Sequence, residues 1–232
     1  YRKTLGLLRD LTGAPSVGIV SEDSGRGIIE IARPVGVVGA ITPSTNPVAT
    51  PTNKVMNALK GRNAIILAPS PRGEAVCGEL VELFQQALKR VGAPEALVQK
   101  LPHPINKADT ETLMREVDLV VATGSQNNIR AAYSSGTPAV GVGAGNVSVI
   151  VDETADCAEA AAQIVASKTF DNATSCSSEN SVVVLDQVYD VLIAALESQG
   201  VKMLTANEQE SLRQLMWTDG KLNPAVIAQS AG

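Results

Sequence analysis

The sequence predicts an α/β protein, a doubly wound parallel sheet followed by a second α/β unit, and two observations predict it. Short apolar runs alternate with longer segments of helical spacing along most of the 232 residues, which is the order that βαβ units produce. Aromatic residues make up only 3% of a chain that is 44% hydrophobic. The core must therefore be built of Val, Ile, Leu and Ala, which suits strands covered by helices on both faces.

The elements follow in order. Residues 17–20 and 27–32 read as extended, and the hydrophilic stretch Ser21-Glu22-Asp23-Ser24-Gly25 between them makes a β-hairpin. Residues 35–41 form an apolar run, 52–59 have helical spacing, and Gly61 is a natural C-terminal stop. A second apolar run covers 64–68. An amphipathic helix over 74–91 gathers Leu80, Leu83, Phe84 and Leu88 on one side. Short strands over 97–101, 118–124 and 138–142 alternate with helices over 110–117 and 127–133. The boundary is placed at 142/143, giving domains 1–142 and 143–232. The second holds a strand over 147–151, a helix over 155–168, a loop over 170–180 and a strand over 181–185. Residues 223–228 open a helix-like pattern that stops at Gly232, and the chain starts without Met, so an internal piece of a longer protein is expected.

Composition excludes several functions. A net charge of -5 without a basic stripe argues against nucleic-acid binding. Cys77, Cys157 and Cys176 lie at unrelated spacings and His103 is the only histidine, so neither a disulfide framework nor a metal site is expected. No signal-peptide core or membrane-length apolar run is present, and the expected location is cytoplasmic.

Cys176 is the residue that invites chemistry. It lies in Thr174-Ser175-Cys176-Ser177-Ser178, a polar loop between helix and strand, whereas Cys77 and Cys157 sit in helical segments with apolar neighbours. Polar loops on rigid scaffolds are where reactive thiols occur. His103, in Leu101-Pro102-His103-Pro104, is far away in sequence and reads as a surface loop residue. The segment Thr42-Pro43-Ser44-Thr45-Asn46-Pro47 follows a strand and precedes a helix. That is a ligand-binding position in open α/β sheets, but taken alone a proline-stiffened turn with Asn46 bonding its own backbone is the better reading. Gly141-Val142-Gly143-Ala144-Gly145-Asn146 is not G-x-G-x-x-G and precedes a strand, so it reads as a hinge or a close backbone approach.

Four stretches together resemble the CoA-acylating branch of the aldehyde dehydrogenase superfamily: Pro34-Val35-Gly36-Val37-Val38-Gly39 through Asn46-Pro47; Ala122-Thr123-Gly124-Ser125; Ala131-Ala132-Tyr133-Ser134-Ser135-Gly136 through Gly145-Asn146; and the Cys176 loop. The resemblance implies a nicotinamide cofactor domain, then a catalytic domain, with the early hairpin used in a homodimer or homotetramer. Cys176 would be the nucleophile. Asn46, with the Cys176 backbone N–H, would bind the oxyanion. Thr42, Pro43, Ser70, Arg72, Thr123, Gly124 and Ser125 would contact the cofactor, with a helix N-terminus at its pyrophosphate.

Two departures from hydrolytic members refine this. Those enzymes carry a Glu general base in the segment matching 141–146, and here there is no carboxylate, which favours release by the CoA thiol over water. They also carry a Lys and a Glu in the segment matching 67–72, which here reads Leu67-Ala68-Pro69-Ser70-Pro71-Arg72. Arg72 without an acid leans towards NADP rather than NAD, against the plain alternative of a solvated arginine. The hydroxyl-rich loop looks most like that of the acylating sulfoacetaldehyde dehydrogenases, with succinate semialdehyde, acetaldehyde and propanal as the alternative substrates. The expected reaction is NAD(P)-dependent conversion of a small polar or anionic aldehyde and coenzyme A to acyl-CoA, or the reverse. The rivals are a hydrolytic aldehyde dehydrogenase, a glutamyl phosphate reductase, and an inactive cofactor-binding or assembly module.

Overall fold

The structure, a computed structural model, describes residues 2–143, 145–227 and 229–230. Ala144, Ala228 and Gly232, which entered the sequence reading, lie outside them. The chain divides into two compact units, Tyr1–Ala144 and Gly145–Gly232.

The first unit opens with helix α1 (Arg2–Leu11) and the antiparallel hairpin β1 (Gly18–Asp23) and β2 (Ile28–Ala32). Ser21, Glu22 and Asp23, expected in the turn, belong to β1. A register shift between Ile19 and Ser21 lengthens the strand, and the turn tightens beyond it, where the Asp23 carboxylate accepts from Arg26. Then come β3 (Val37–Thr42), α2 (Ala49–Lys60), β4 (Ala64–Pro69), α3 (Glu74–Arg90), β5 (Val98–Lys100), α4 (Lys107–Glu116), β6 (Leu119–Thr123), α5 (Gln126–Tyr133) and β7 (Ala139–Val142). The five strands from β3 to β7 form one parallel sheet of order β5-β4-β3-β6-β7. The chain therefore runs outward from β3 through β4 to β5 and returns to the other side of β3 for β6 and β7. The strand order reverses between β3 and β6.

Strand alternation sorts the core into two layers. Val38, Ala40, Ile65, Leu67 and Val98 meet Val55, Ala58, Cys77 and Val81 of α2 and α3. Ile41, Ala68, Val120 and Ala122 face Leu113, Met114, Ile129 and Ala132 of α4 and α5. Each face of the sheet is thus sealed by one pair of helices. Side-chain caps set two of the starts: Asn106 accepts from the Asp109 N–H before α4, and Ser125 from the Asn128 N–H before α5.

The second unit pairs two parallel strands, β8 (Val147–Val151) and β9 (Glu179–Val184), and adds helices α6 (Cys157–Thr169), α7 (Asp186–Ser198) and α8 (Ala206–Met216). Val151, Cys157, Ala161, Leu192 and Leu196 form its core. Asp156 caps α6, which moves its start two residues beyond the expected 155. A small hairpin, β10 (Trp217–Thr218) and β11 (Lys221–Leu222), follows α8. The helix expected over 223–228 is instead a single 3-10 turn at Pro224–Val226. The Asn223 side chain accepts from Ala225 N–H and donates to the Leu215 carbonyl, which turns the chain back rather than onward.

Leu67 is fully buried in the middle of the sheet. Leu67→Ala is expected to cost about 2–5 kcal/mol by lost burial and the cavity left behind, read as a lower urea midpoint by circular dichroism.

Candidate active site

The sheet places most of the expected cofactor residues side by side. Thr42 ends β3, Ser70 follows the end of β4, and Thr123 ends β6. The register pairs Thr42 with Pro69 and Ile41 with Ala122, so the three strands finish at nearly the same height. Ser70 N–H donates to the Thr42 carbonyl at 3.0 Å. These ends flank the reversal of strand order, where open α/β sheets bind ligands. The hydroxyls of Thr42 and Ser70 are both hidden from solvent, and neither has a hydrogen-bond partner among the described residues. An orphaned buried hydroxyl costs roughly 1–3 kcal/mol, so this pair is set for a polar ligand. The start of α5, with Ser125 as its cap, adds backbone N–H groups suited to an anion. Arg72 stands exposed in the 3-10 turn Pro71–Gly73 beside Ser70. The donors present fit a nicotinamide dinucleotide: hydroxyls and a helix N-terminus for its pyrophosphate and ribose, with a cation nearby.

Asn46 is both the stiff-turn residue and more. Its Oδ1 accepts from Ala49 N–H at 3.0 Å, tying the loop to the start of α2. This bond fixes the amide plane and leaves Nδ2 without a partner among the described residues. A held amide with a free N–H is what an oxyanion donor requires.

Two features of this unit, the engagement of Glu74 and the burial of Lys54, escaped the sequence reading, while the close backbone approach expected of the 141–146 glycines is found at Gly141. A carboxylate lies just past 67–72: Glu74, largely buried, is 2.9 Å from His103 Nδ1 and 3.9 Å from Lys100 Nζ. His103 is indeed exposed, but it is tied to the start of α3. Tyr133 faces Gly141: its hydroxyl accepts from the Gly141 N–H at 3.0 Å, and a Cβ at 141 would lie 2.9 Å from Ile129 and 3.0 Å from the tyrosine ring. A side chain at 141 has no room. Lys54, 9% exposed, is the buried cation of the unit. Its Nζ donates to the carbonyls of Ile41 at 2.8 Å and Val121 at 2.6 Å, and burial lowers its amine to about 7.

In the second unit Cys176 is exposed, while Cys157 in the same unit is buried, as is Cys77 in the first. Burial raises the Cys77 thiol to about 11. The Cys176 loop is bent by three consecutive residues in left-handed conformation, Asp171, Asn172 and Ala173, with φ of 53°, 50° and 58°. Such a run costs about 1–2 kcal/mol per residue and persists only where its surroundings hold it. One clamp joins the end of α6 to β9: Lys168 Nζ donates to Asn180 Oδ1 at 3.0 Å. The Glu179 carboxyl is lowered by the neighbouring Ser167 hydroxyl, with Lys168 adding a smaller attraction, while its Oε2 is buried without a partner among the described residues. Within the loop Thr174 bonds the Asp171 carbonyl, Ser175 and Ser177 pair at 2.9 Å, and the Ser178 hydroxyl is buried and has no partner among the described residues. The backbone of Gly145 passes so close that a Cβ there would lie 3.2 Å from the Cys176 carbonyl oxygen.

Comparison with known proteins adds family context. Residues 2–214 match the model of the aldehyde dehydrogenase family. The chain is 58% identical over 231 residues to the sulfoacetaldehyde dehydrogenase (acylating) of Cupriavidus necator, covering 100% of this chain and 47% of that protein. It is similar to a solved acetylating aldehyde dehydrogenase from Geobacillus thermoglucosidasius, with a TM-score of 0.88 and 36% identity over 97% of this chain and 50% of that one. A propionaldehyde dehydrogenase of Rhodopseudomonas palustris, solved with bound propionyl-CoA, superposes with a TM-score of 0.79 and 35% identity, covering 87% of this chain and 45% of that one. The chain spans about half the length of the curated relatives it matches.

Thiol exposure gives a direct test. Native protein treated with iodoacetamide is expected to be alkylated at Cys176, with Cys77 and Cys157 labelled only after denaturation; peptide mass spectrometry reads the sites. Equal labelling of all three in the native state contradicts the burial pattern.

Proposed function

The chain belongs to the aldehyde dehydrogenase family, and from that premise we propose that the protein converts a small polar or anionic aldehyde and coenzyme A to an acyl-CoA with NAD(P), or runs the reverse reaction. The observation that carries the reading is Cys176: one solvent-facing thiol on a strained loop clamped at its ends, in a chain whose other two thiols are buried. The similar proteins act as acylating aldehyde dehydrogenases, and one of them was solved with propionyl-CoA.

Cys176 takes the nucleophile's role. Its thiolate adds to the aldehyde carbon, and the carbonyl electrons move onto oxygen. Asn46 Nδ2 and the Cys176 backbone N–H are assigned as donors to that oxyanion. The nicotinamide, when bound, supplies the hydride acceptor; Thr42, Pro43, Ser70, Arg72, Thr123, Gly124 and Ser125 are assigned to hold its dinucleotide. Loss of hydride from the resulting tetrahedral alkoxide leaves the acyl group as a thioester on Cys176, the thiol proton having gone to solvent when the thiolate formed. The CoA thiol attacks that carbonyl, and the Cys176 sulfur leaves.

Two features support release by thiol rather than water. Nothing in 141–146 can accept a proton from water, and Ile129 and Tyr133 fill the place a side chain at 141 would take. Glu179, near in sequence to the thiol, has its carboxyl lowered by the neighbouring Ser167 hydroxyl, which makes it a weaker base. The sulfonate-bearing substrate is the finer part of the reading. It rests on the hydroxyl-rich Thr174–Ser178 stretch and on the similarity to the sulfoacetaldehyde enzyme. Arg72 supports a lean towards NADP. The isoleucines exposed on the β1–β2 hairpin, Ile19, Ile28, Ile29 and Ile31, support its assignment to contacts in a homodimer or homotetramer.

The test is an aldehyde panel on the full-length protein with NAD or NADP, with and without CoA. Steady acyl-CoA formation is expected for sulfoacetaldehyde, with at most one turnover when CoA is omitted. Cys176→Ala is expected to abolish turnover while leaving cofactor affinity within about twofold. Steady release of free acid without CoA would place the protein with the hydrolytic members. Asn46→Ala is expected to lower kcat by about 100-fold, the usual loss for one oxyanion donor. A change confined to KM would return Asn46 to its turn role alone.

A further inference from the structure

Lys54 has no part in the chemistry above, yet it is placed where the sheet changes direction. Its amine reaches across from α2 to carbonyl oxygens on both strands flanking the reversal, Ile41 of β3 and Val121 of β6. The residue after Ile41 is Thr42, whose buried hydroxyl is unpartnered, and the residues after Val121 lead through Thr123 to the cap of α5. The amine therefore sits beneath the floor of the crevice from which the phosphate-binding groups project.

The surroundings leave that cation alone. Strands β3, β4, β6 and β7 and the loops 43–48 and 124–125 carry no ionisable side chain. Besides Lys54, α2 carries only Lys60. In α1, which packs on α2, Arg9 and Asp10 pair with each other. The acid nearest the crevice on α3, Glu74, is taken by His103 and Lys100. On the opposite face α5 carries Arg130, and α4 carries Lys107, Asp109, Glu111, Arg115 and Glu116. Among the described residues none forms an ion pair with Lys54. A buried ammonium without a counter-charge is costly, and the amine is lowered to about 7 by burial alone. Both of its bonds are to carbonyls, which the neutral amine can also donate to, so losing the proton does not break the clamp.

We propose that Lys54 is a proton-linked positioning residue of the dinucleotide site: the pyrophosphate's two negative charges supply the missing counter-charge, and binding draws a proton from solvent onto the Lys54 amine. The sign follows from linkage. The bound anion raises the amine's pKa, so binding takes up a proton between the free and bound values and weakens as pH rises through them. This inference rests on the crevice being the nicotinamide dinucleotide site.

Calorimetry with NAD on the full-length protein tests it. NAD is used because it lacks the 2′-phosphate that titrates in this range. Titrations at pH 7.75 in buffers of different ionisation enthalpy are expected to show uptake of about half a proton or more per NAD, with Kd rising about fivefold or more between pH 7 and 8.5. In Lys54→Met the uptake should fall to zero and Kd should lose that pH dependence. Lys54→Arg, permanently charged, should also take up no proton but keep tight binding at pH 8.5. His103→Asn should behave like the wild type, excluding the one histidine as the source. NAD binding by the wild type without proton uptake overturns the role of Lys54 and leaves the site intact. Uptake that persists in Lys54→Met overturns it as well. No NAD binding at all removes the dinucleotide site and this inference with it.

Discussion

Strand β3 has no free edge, and that condition governs the first unit. Its residues pair in parallel with β4 on one side and β6 on the other, so every strand added later had to go outside those two. Parallel neighbours cannot be joined by tight turns; each needs a crossover. The crossovers before and after the reversal go to opposite faces, which is why α2 and α3 pack one layer of the core and α4 and α5 the other. The same pairing brings three strand ends to one height and leaves no strand crossover above the gap between β3 and β6. The crevice is thus a consequence of strand order, and the hydroxyls lining it come from whatever residues end those strands.

The second unit solves a different problem, holding a polar loop still. A loop of hydroxyl-bearing residues has little apolar surface to bury and much conformational freedom to lose. Here the freedom is reduced by a bond at its ends, Lys168 to Asn180, which joins the last turn of α6 to the first residues of β9. The left-handed run at Asp171 to Ala173 turns the chain between them. A side chain on such a loop is held by its anchors rather than by packing, so it can face solvent and remain fixed.

What the sequence showed and what it hid have physical reasons. Val- and Ile-rich runs and Gly61 marked the sheet and the helix stop because burial on both faces leaves little choice of residue. The polar setting of Cys176 was legible against the apolar settings of Cys77 and Cys157, and the three burials agree with it. Helices α1, α7 and α8 went unread, although the Thr205–Glu208 capping box marks the start of α8 in the sequence. Lys54 was invisible for a deeper reason. A lysine in a helical segment reads as solvated, and only the fold shows that its amine points into the sheet, bonded across two strands far apart in sequence. Asn46 was legible as a turn residue, but that its NH2 group stays without a partner among the described residues is seen only in the folded loop. Glu74 was missed because the reading stopped at Arg72, while the contact that engages it comes from the loop after β5.

The distribution of sulfur also decides how the molecule meets oxidants. Cys176 alone faces solvent, and the other two thiols are sealed in the cores of their own units. A peroxide reaching Cys176 forms a sulfenic acid with no solvent-accessible cysteine of the described chain to condense with. Without a resolving partner such a group either awaits a thiol from outside or advances to the sulfinic state, which ordinary reductants do not reverse. A free thiol in the medium, coenzyme A included, can cap it first as a mixed disulfide. The co-substrate of the proposed reaction thus doubles as a chemical shelter for the nucleophile between turnovers.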